Sequence, residues 1–391
     1  MRWPAEPALG GWYTDEEHAA VIQVLTESAD WRIGFRAKEH EVAFETAFAH
    51  YIGAREAVAV NGGGTGLDMV LECLKLRPGD EIISCAINFV GTHVSVLRRG
   101  AQLVVCEPDP LTLNIDPADA ERVISPRTRA IVVTHMNGLA ADLEALAAVA
   151  VRHPHPTHGP PVIIGDAARA CGATYNGARV GGQGWASIFS FQSKKPMTTL
   201  GQGGMVTTND PALAKRLRRL RSFGKNQDLG TNYKMTKAQA AVGLVQLRRL
   251  DAMNQARIDL ARHRSAALRA ALDSVGGAGG VLLPPEPGGF GHLYYRYNLL
   301  LPPSCAARER DEVIATLASR FGVGCIVADP PTYRTHPRIA EHLSGRRCPV
   351  ADQVADRLFC PSLHPLMSPQ DNSLIADAIA ETLIETLDRP R

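Results

Sequence analysis

What this chain lacks narrows its function before any motif is considered. There is no CxxC and no close pairing of cysteine with histidine. Its eight cysteines, Cys73, Cys85, Cys106, Cys171, Cys305, Cys325, Cys348 and Cys360, therefore read as scattered, reduced and mostly buried thiols, not as a disulfide framework or a metal cage. No sign of charge dominates: 42 Lys plus Arg stand against 40 Asp plus Glu, which leaves no long-range field to favour nucleic acid or an anionic membrane. No window approaches a membrane span without charges. The opening MRWPAEPALGGWYTDEE has no apolar stretch long enough for a signal peptide, so the expectation is a cytoplasmic protein. Internal repeats and low-complexity tracts are absent as well. Small-molecule chemistry is the class that remains.

What is present is an alternation of short β-branched runs and amphipathic stretches. Thr14 precedes Glu17 by three residues, the spacing of a capping box, and predicts a helix after it. AVAV (57–60), EIISCAI, QLVVCE, AIVVTH and VIIGD are compact strand-like runs separated by helical patterns such as LDMVLECLKL. That order predicts an α/β fold with a mainly parallel sheet and helices on both faces. SIFSF (187–191) and GMVTT (204–208) read as two further strands, and the short loop between them predicts that one runs antiparallel.

A long helical pattern covers about 238–272, followed by the Gly- and Pro-rich SVGGAGGVLLPPEPGGFG, which marks a hinge. Beyond it, YYRYNLLL reads as a strand, with helices at 308–320 and 371–387, giving a smaller C-terminal α+β domain. A length of 391 residues exceeds what one core usually supports. The expected division is a large domain over 1–250, including the N-terminal helical segment, and a small one over 251–391 that takes in the linking helix and hinge.

Ligands of open parallel sheets bind outside the carboxyl ends of the strands, so residues just after the apolar runs come first. NGGGTG (61–66) leads into a helix, where glycines let backbone amides approach an anion, a phosphate above all. It lacks the lysine of a P-loop and the last glycine of GxGxxG, which disfavours nucleotide binding; a tight turn is its plainer reading. Asp166 ends VIIGD; on spacing alone it is a helix cap, and otherwise it needs a cation. Lys194 and Lys195 follow SIFSF on alternate sides of the chain, where a lysine pair is most often a solvated loop. Taken together, a phosphate site, a carboxylate and an amine suit pyridoxal phosphate, whose phosphate, ring nitrogen and aldehyde need those three groups.

These blocks, with GDAARACGA, SFQSKKPMTTLGQGG and GTNYKMTKAQAAVGLVQLRRL in the same order, resemble the DegT/StrS family of pyridoxal-phosphate sugar and cyclitol aminotransferases. The resemblance runs from about Trp12 to about Ile384 and is nearest in pattern to the cyclitol aminotransferases and the 3-amino-5-hydroxybenzoate synthases. It implies the fold of pyridoxal-phosphate transferases of fold type I. It also implies roles for residues at matching positions. Lys195, five residues after Ser190, is the Schiff-base lysine, and Lys194 a bystander. Asp166 pairs with the pyridinium nitrogen, Gly64, Thr65 and Ser190 hold the phosphate, and Phe89 stacks on the ring. Asn232 reaches the phosphate of a neighbouring subunit, which implies a homodimer with shared active sites. Near the substrate the same comparison puts Trp31, Arg32, Gln192 and Tyr233; His135, at a strand's carboxyl end in THMNG, is a further substrate candidate, with a satisfied, hydrogen-bonded histidine as its plainer reading.

Three departures from the family pattern stand out. Arg169, at the cofactor-binding position next to the ring hydroxyl, replaces the usual Gln or His three residues after the aspartate, so it either contacts that hydroxyl differently or turns away. GQGG, with Gln202 and the additional Leu200, replaces GEGG, and GVGCIVADPPTYRTHP lacks a His-Tyr pair. The implied activity is transfer of an amino group from glutamine or glutamate to a ketone on a cyclitol or sugar ring. The alternatives are a dehydratase or aromatising synthase of the hydroxybenzoate type and a non-catalytic partner that keeps the fold; Lys195 speaks against a dehydratase but leaves a lysine-dependent synthase open, and Lys195 with Asp166 speaks against a non-catalytic partner. The histidines of RHPHPTHG (152–159) read as a solvated loop, and the basic RLRRLRSFGK (216–225) as a charged helix face.

Overall fold

The computed structural model describes residues 2–273 and 280–387. The β-branched runs become β1 (Glu56–Val60), β2 (Glu81–Cys85), β3 (Gln102–Cys106), β4 (Thr128–Thr134) and β5 (Val162–Asp166). A two-residue hairpin, β6 (Thr174–Tyr175) and β7 (Ala178–Arg179), precedes β8 (Ala186–Ser190) and β9 (Gly204–Thr208). Seven of these make one sheet in the order β1-β9-β8-β5-β4-β2-β3. Only β9 opposes its neighbours, pairing antiparallel with β1 and β8, while the remaining pairs are parallel. Every residue of β2 and β4 is buried, as strands covered on both faces must be.

The covering helices are α1 (Asp15–Ser28), α2 (Lys38–Ile52), α3 (Gly63–Cys73), α4 (Val90–Arg98), α5 (Pro117–Val123), α6 (Leu143–Arg152) and α7 (Pro211–Leu220). Thr14 and Glu17 close the capping box of α1, with Thr14 N 2.7 Å from Glu17 Oε2. The arginines on and after α7 are committed within the chain: Arg216 and Arg219 to Asp228, Arg218 to Glu45 and Glu56, Arg221 to Glu41 and Glu45. All eight cysteines are free thiols, and six of them are buried. Among the described residues no helix is long and apolar enough to cross a membrane.

The long helix is α8 (Lys237–Asp273), about 55 Å from end to end. It threads two hydrophobic cores: Leu247, Leu250 and Met253 belong to the sheet's core, Leu260, Leu268 and Leu272 to a second. The second core is completed by α9 (Ala307–Phe321), by α13 (Pro369–Leu387), and by part of a three-stranded antiparallel sheet of β10 (Leu299–Leu300), β12 (Leu358–Pro361) and β11 (Cys325–Ile326). Residues between them, including Tyr333 at α10 (Thr332–Thr335), Ile339 and Val354, pack into the first core.

Two expectations change here. Of the hinge, residues 274–279 lie outside the described residues; its end is fastened, since Gly289 O accepts from Asn176 N at 2.7 Å. YYRYNLLL is a strand only at Leu299–Leu300. Its first half is an irregular strip whose backbone bonds are taken by a loop of the large unit: Leu293 N donates to Gly138 O at 2.9 Å and Arg296 N to Asn137 O at 3.4 Å. The strip lies so close that a Cβ on Gly138, whose φ is +94°, would stand 2.9 Å from Tyr295 N. Apolar alternation marks which side chains are buried; it does not reveal which partner takes the backbone groups.

Candidate active site

A cleft of about 800 Å³ opens at the carboxyl ends of β1, β4, β5 and β8, where a parallel sheet presents its loops. Asn61, Thr134, Asp166 and Ser190, at or just beyond those ends, all line it.

The start of α3 is shaped for an anion. Its N-cap is Gly62, no side chain caps the first turn, and the leading amides of Gly63, Gly64 and Thr65 therefore face outward with the positive end of the helix dipole. Gly63 rests on Ser190, whose Cβ would be 2.9 Å from a Cβ added there, so the Ser190 hydroxyl stands beside the helix start. Space is open over Gly64.

Asp166 is the last residue of β5 and is half buried. Its Oδ1 accepts from Ala168 N at 3.1 Å and its Oδ2 from Thr92 Oγ1 at 3.2 Å. The backbone bond is the cap that spacing suggested, yet no Lys, Arg or His pairs with the carboxylate among the described residues. Phe89, at the start of α4, is 58% exposed and borders the same cleft, where its ring is open to a ligand.

The two lysines are separated by their partners. Lys194 is ion-paired with Glu6. Lys195 N donates to Gln192 O at 2.8 Å, but its Nζ makes no hydrogen bond or ion pair among the described residues and lies 5.1 Å from the ring centre of Tyr295. After the lysines the chain turns back through Leu200, Gly201 and Gly203, all at positive φ, and Phe191 N reaches Gly203 O at 2.9 Å to begin the antiparallel return. An N-terminal strap crosses here: Gly10 N donates to Ser193 O at 2.9 Å, and a Cβ on Gly10 would fall 2.1 Å from Lys195 O.

Gly64, Thr65, Phe89, Asp166, Arg169, Ser190, Gln192 and Lys195 thus come together in one cleft, joined by Gln202. The other expected positions lie elsewhere in the single chain. Trp31 is 90% exposed, and Arg32 is an exposed residue paired with Asp30. Asn232 is exposed too, while Tyr233 uses its backbone to accept from Asn61 N at 2.9 Å. His135 is buried behind the strand end: its Nδ1 accepts from Ala141 N at 3.0 Å, its Nε2 has no partner among the described residues, and burial pushes its pKa down to about 4.

Four cleft residues carry no sequence signal of their own: Glu6 in the leader, Tyr295 and Arg296 in what reads as a strand, and Asp329 in the ADPP turn. Arg169, a departure from the family pattern, contacts one of them, putting both terminal nitrogens on Asp329.

The arrangement fits the cofactor that the resemblance implies. An uncapped helix start with an adjacent hydroxyl suits a phosphate, a half-buried carboxylate without a cation suits a protonated ring nitrogen, an exposed aromatic suits a flat ring, and an unpartnered amine suits an aldehyde.

Comparison with known proteins gives the same picture. The model of the DegT/DnrJ/EryC1/StrS aminotransferase family matches residues 13–380. A protein named pleiotropic regulatory protein from Geobacillus stearothermophilus is 32% identical over 368 residues, 92% of this chain and 93% of that one. The L-glutamine:scyllo-inosose aminotransferase of Streptomyces griseus is 33% identical over 425 aligned positions, covering 100% of this chain and 95% of its own length. Among solved structures, an aminotransferase from Psychrobacter cryohalolentis superposes with a TM-score of 0.87 at 28% identity, covering 99% of this chain and 100% of that one.

Proposed function

Because this chain belongs to the DegT/DnrJ/EryC1/StrS aminotransferase family, whose enzymes depend on pyridoxal phosphate, we propose that it moves an amino group from glutamine or glutamate to a ketone on a cyclitol or sugar ring. The setting is amino-sugar or secondary-metabolite biosynthesis. The observation that carries this reading is the unpartnered Lys195 amine in one cleft with Asp166 and the open start of α3.

In this reading the first turn of α3, with Ser190 and Thr65, anchors the phosphate, Asp166 accepts the ring N–H, and Phe89 covers the ring. Thr92 and the Ala168 amide fix the direction of the Asp166 carboxylate. The cofactor, once bound, supplies an electron sink that makes the donor's α proton acidic. Lys195 Nζ takes that proton and returns it one position away, a task suited to an amine tethered over the cleft. Lys194 is neutralised by Glu6 and stays out of the chemistry. The exposed Asn232 reaches the phosphate bound by a second copy, making the working unit a homodimer with shared sites.

The direct test supplies glutamine labelled with 15N at the α-amino group to the pyridoxal-phosphate-loaded protein, with a panel of inososes, keto sugars and nucleotide-linked keto sugars. Mass spectrometry should find the label in one acceptor class. Label in none of them, with a dehydrated or aromatised product instead, would overturn the proposal.

A further inference from the structure

The cleft also holds a cluster of charges to which the proposed proton transfer at Lys195 gives no role. Arg169 is 4% exposed, and its Nη2 lies 2.9 Å from Asp329 Oδ1 while its Nη1 pairs with Oδ2. Arg296 Nη1 reaches the same Oδ2 at 2.7 Å, and its Nη2 is 3.0 Å from Glu6 Oε1. One carboxylate therefore sits between two guanidiniums brought from distant parts of the chain. All three residues line the cleft. Burial alone would raise the Asp329 pKa; Arg169 and Arg296 reverse this and hold it well below the usual carboxylate range, so the group stays ionised.

The guanidiniums are built in more firmly than the carboxylate. Arg169 lies one turn past the end of β5 and Arg296 is braced by Glu6. Asp329 stands on the short ADPP link between β11 and α10, at φ +43°, a backbone region that residues other than glycine visit sparingly. The pair also borders the reacting amine: the ring centre of Tyr295 is 5.1 Å from Lys195 Nζ, 5.8 Å from Arg169 Cζ and 5.7 Å from Arg296 Cζ.

We propose that Arg169 and Arg296 form a seat for a substrate carboxylate, and that Asp329 fills this seat until the substrate's own carboxylate takes it. Planar forks of paired N–H donors match a carboxylate in shape as well as in charge. A sugar hydroxyl cannot replace Asp329 without leaving the buried Arg169 uncompensated and Arg296 with Glu6 alone, whereas an incoming carboxylate restores both charge and geometry. The inference rests on the aminotransferase reading. An amino-acid donor bears its carboxylate on the carbon that carries the amine, which would bring that amine beside Lys195; an acid group on the acceptor ring is the other source of the same chemistry.

Calorimetry on the pyridoxal-phosphate-loaded protein separates the sources with three probes: glutarate for the donor, glucuronate for a carboxylated ring, and myo-inositol as an uncharged ring. Asp329→Asn should tighten at least one acid tenfold or more, Arg296→Gln should weaken that same acid tenfold or more, and myo-inositol should respond to neither. A response to glutarate assigns the seat to the donor, and a response to glucuronate assigns it to the acceptor. The proposal is overturned if both acids shift less than twofold in variants that still melt cooperatively, or if myo-inositol shifts as much as the acids. Failure of nitrogen transfer beside an intact acid response would sink the aminotransferase reading and leave the seat standing.

Discussion

The two walls of the cleft are made in different ways. One is assembled from strand ends and a helix start: Asp166 at β5, Ser190 at β8, the first turn of α3, and Lys195 in the turn that follows β8. The other is assembled from irregular segments: Glu6 in the strap, Tyr295 and Arg296 in the strip after the hinge, Asp329 in a turn. Sheet register fixes the first wall, since Thr134 pairs with Asp166 and Asp166 with Ile188. Ion pairs and close backbone approaches fix the second. In the proposed reading the contrast separates groups that serve any substrate of the reaction, carried on the rigid framework, from groups that meet a particular substrate, carried on irregular segments.

The largest effect should fall on the regular wall. Lys195→Ala should reduce amino transfer by about 10³-fold or more, because proton transfer and covalent attachment are lost together. Lys194→Ala should cost about fivefold or less, as expected of a partly exposed ion pair. Steady-state rates on the two variants measure this, and equal losses would erase the distinction between the lysines.

Acid should loosen both walls. Burial pushes His93 and His135, behind the strand ends, and His292, beneath the strip, down to about 4. An unfolded chain protonates them near 6.5, so it binds more protons between these values and stability falls as pH drops through that window. Each histidine contributes up to about 1.4 kcal/mol per pH unit. Melting temperatures should be nearly flat from pH 7 to 8 and decline steadily from 6.5 towards 4; a flat profile there would show the histidines to be solvated.

Thr92→Val tests how the first wall aims its carboxylate. Losing the bond from Oγ1 to Asp166 should slow turnover about tenfold, in keeping with one hydrogen bond to a charged group, while the melting temperature changes little. No change in rate would mean that the Ala168 amide suffices. The smallest effect is expected away from both walls: Trp31→Ala should shift monomer stability by about 0.5 kcal/mol or less, given 90% exposure. A larger shift that depends on protein concentration would place Trp31 in a contact between copies, as the proposed homodimer allows.

The first wall was legible because its parts are local. A β-branched run followed by glycines and a helix signal, a strand ending in Asp and a strand followed by Lys all place residues at one sheet edge, although each alone reads as a turn, a helix cap or a solvated loop and the roles given to them came with the family resemblance. The second wall was not, because nothing in YYRYNLLL distinguishes a sheet pairing from the bonds to Asn137 and Gly138 that replace it. Asp329 matters through its meetings with Arg169 and Arg296, and the sequence shows the first of these merely as two unexplained departures. At His135 the sequence left a strand-end substrate contact and a hydrogen-bonded histidine both open, and the fold buries it. Its neighbour Thr134 faces the cleft, and alternation along the strand turns His135 to the buried side.

The central claim is that one amine, Lys195 Nζ, binds the cofactor's aldehyde. Borohydride reduction of the pyridoxal-phosphate-loaded protein, followed by peptide mapping, tests it most directly. The phosphopyridoxyl mass should appear on the peptide carrying Lys195 and at that residue. A label confined to Lys194 or to any other lysine would contradict the account.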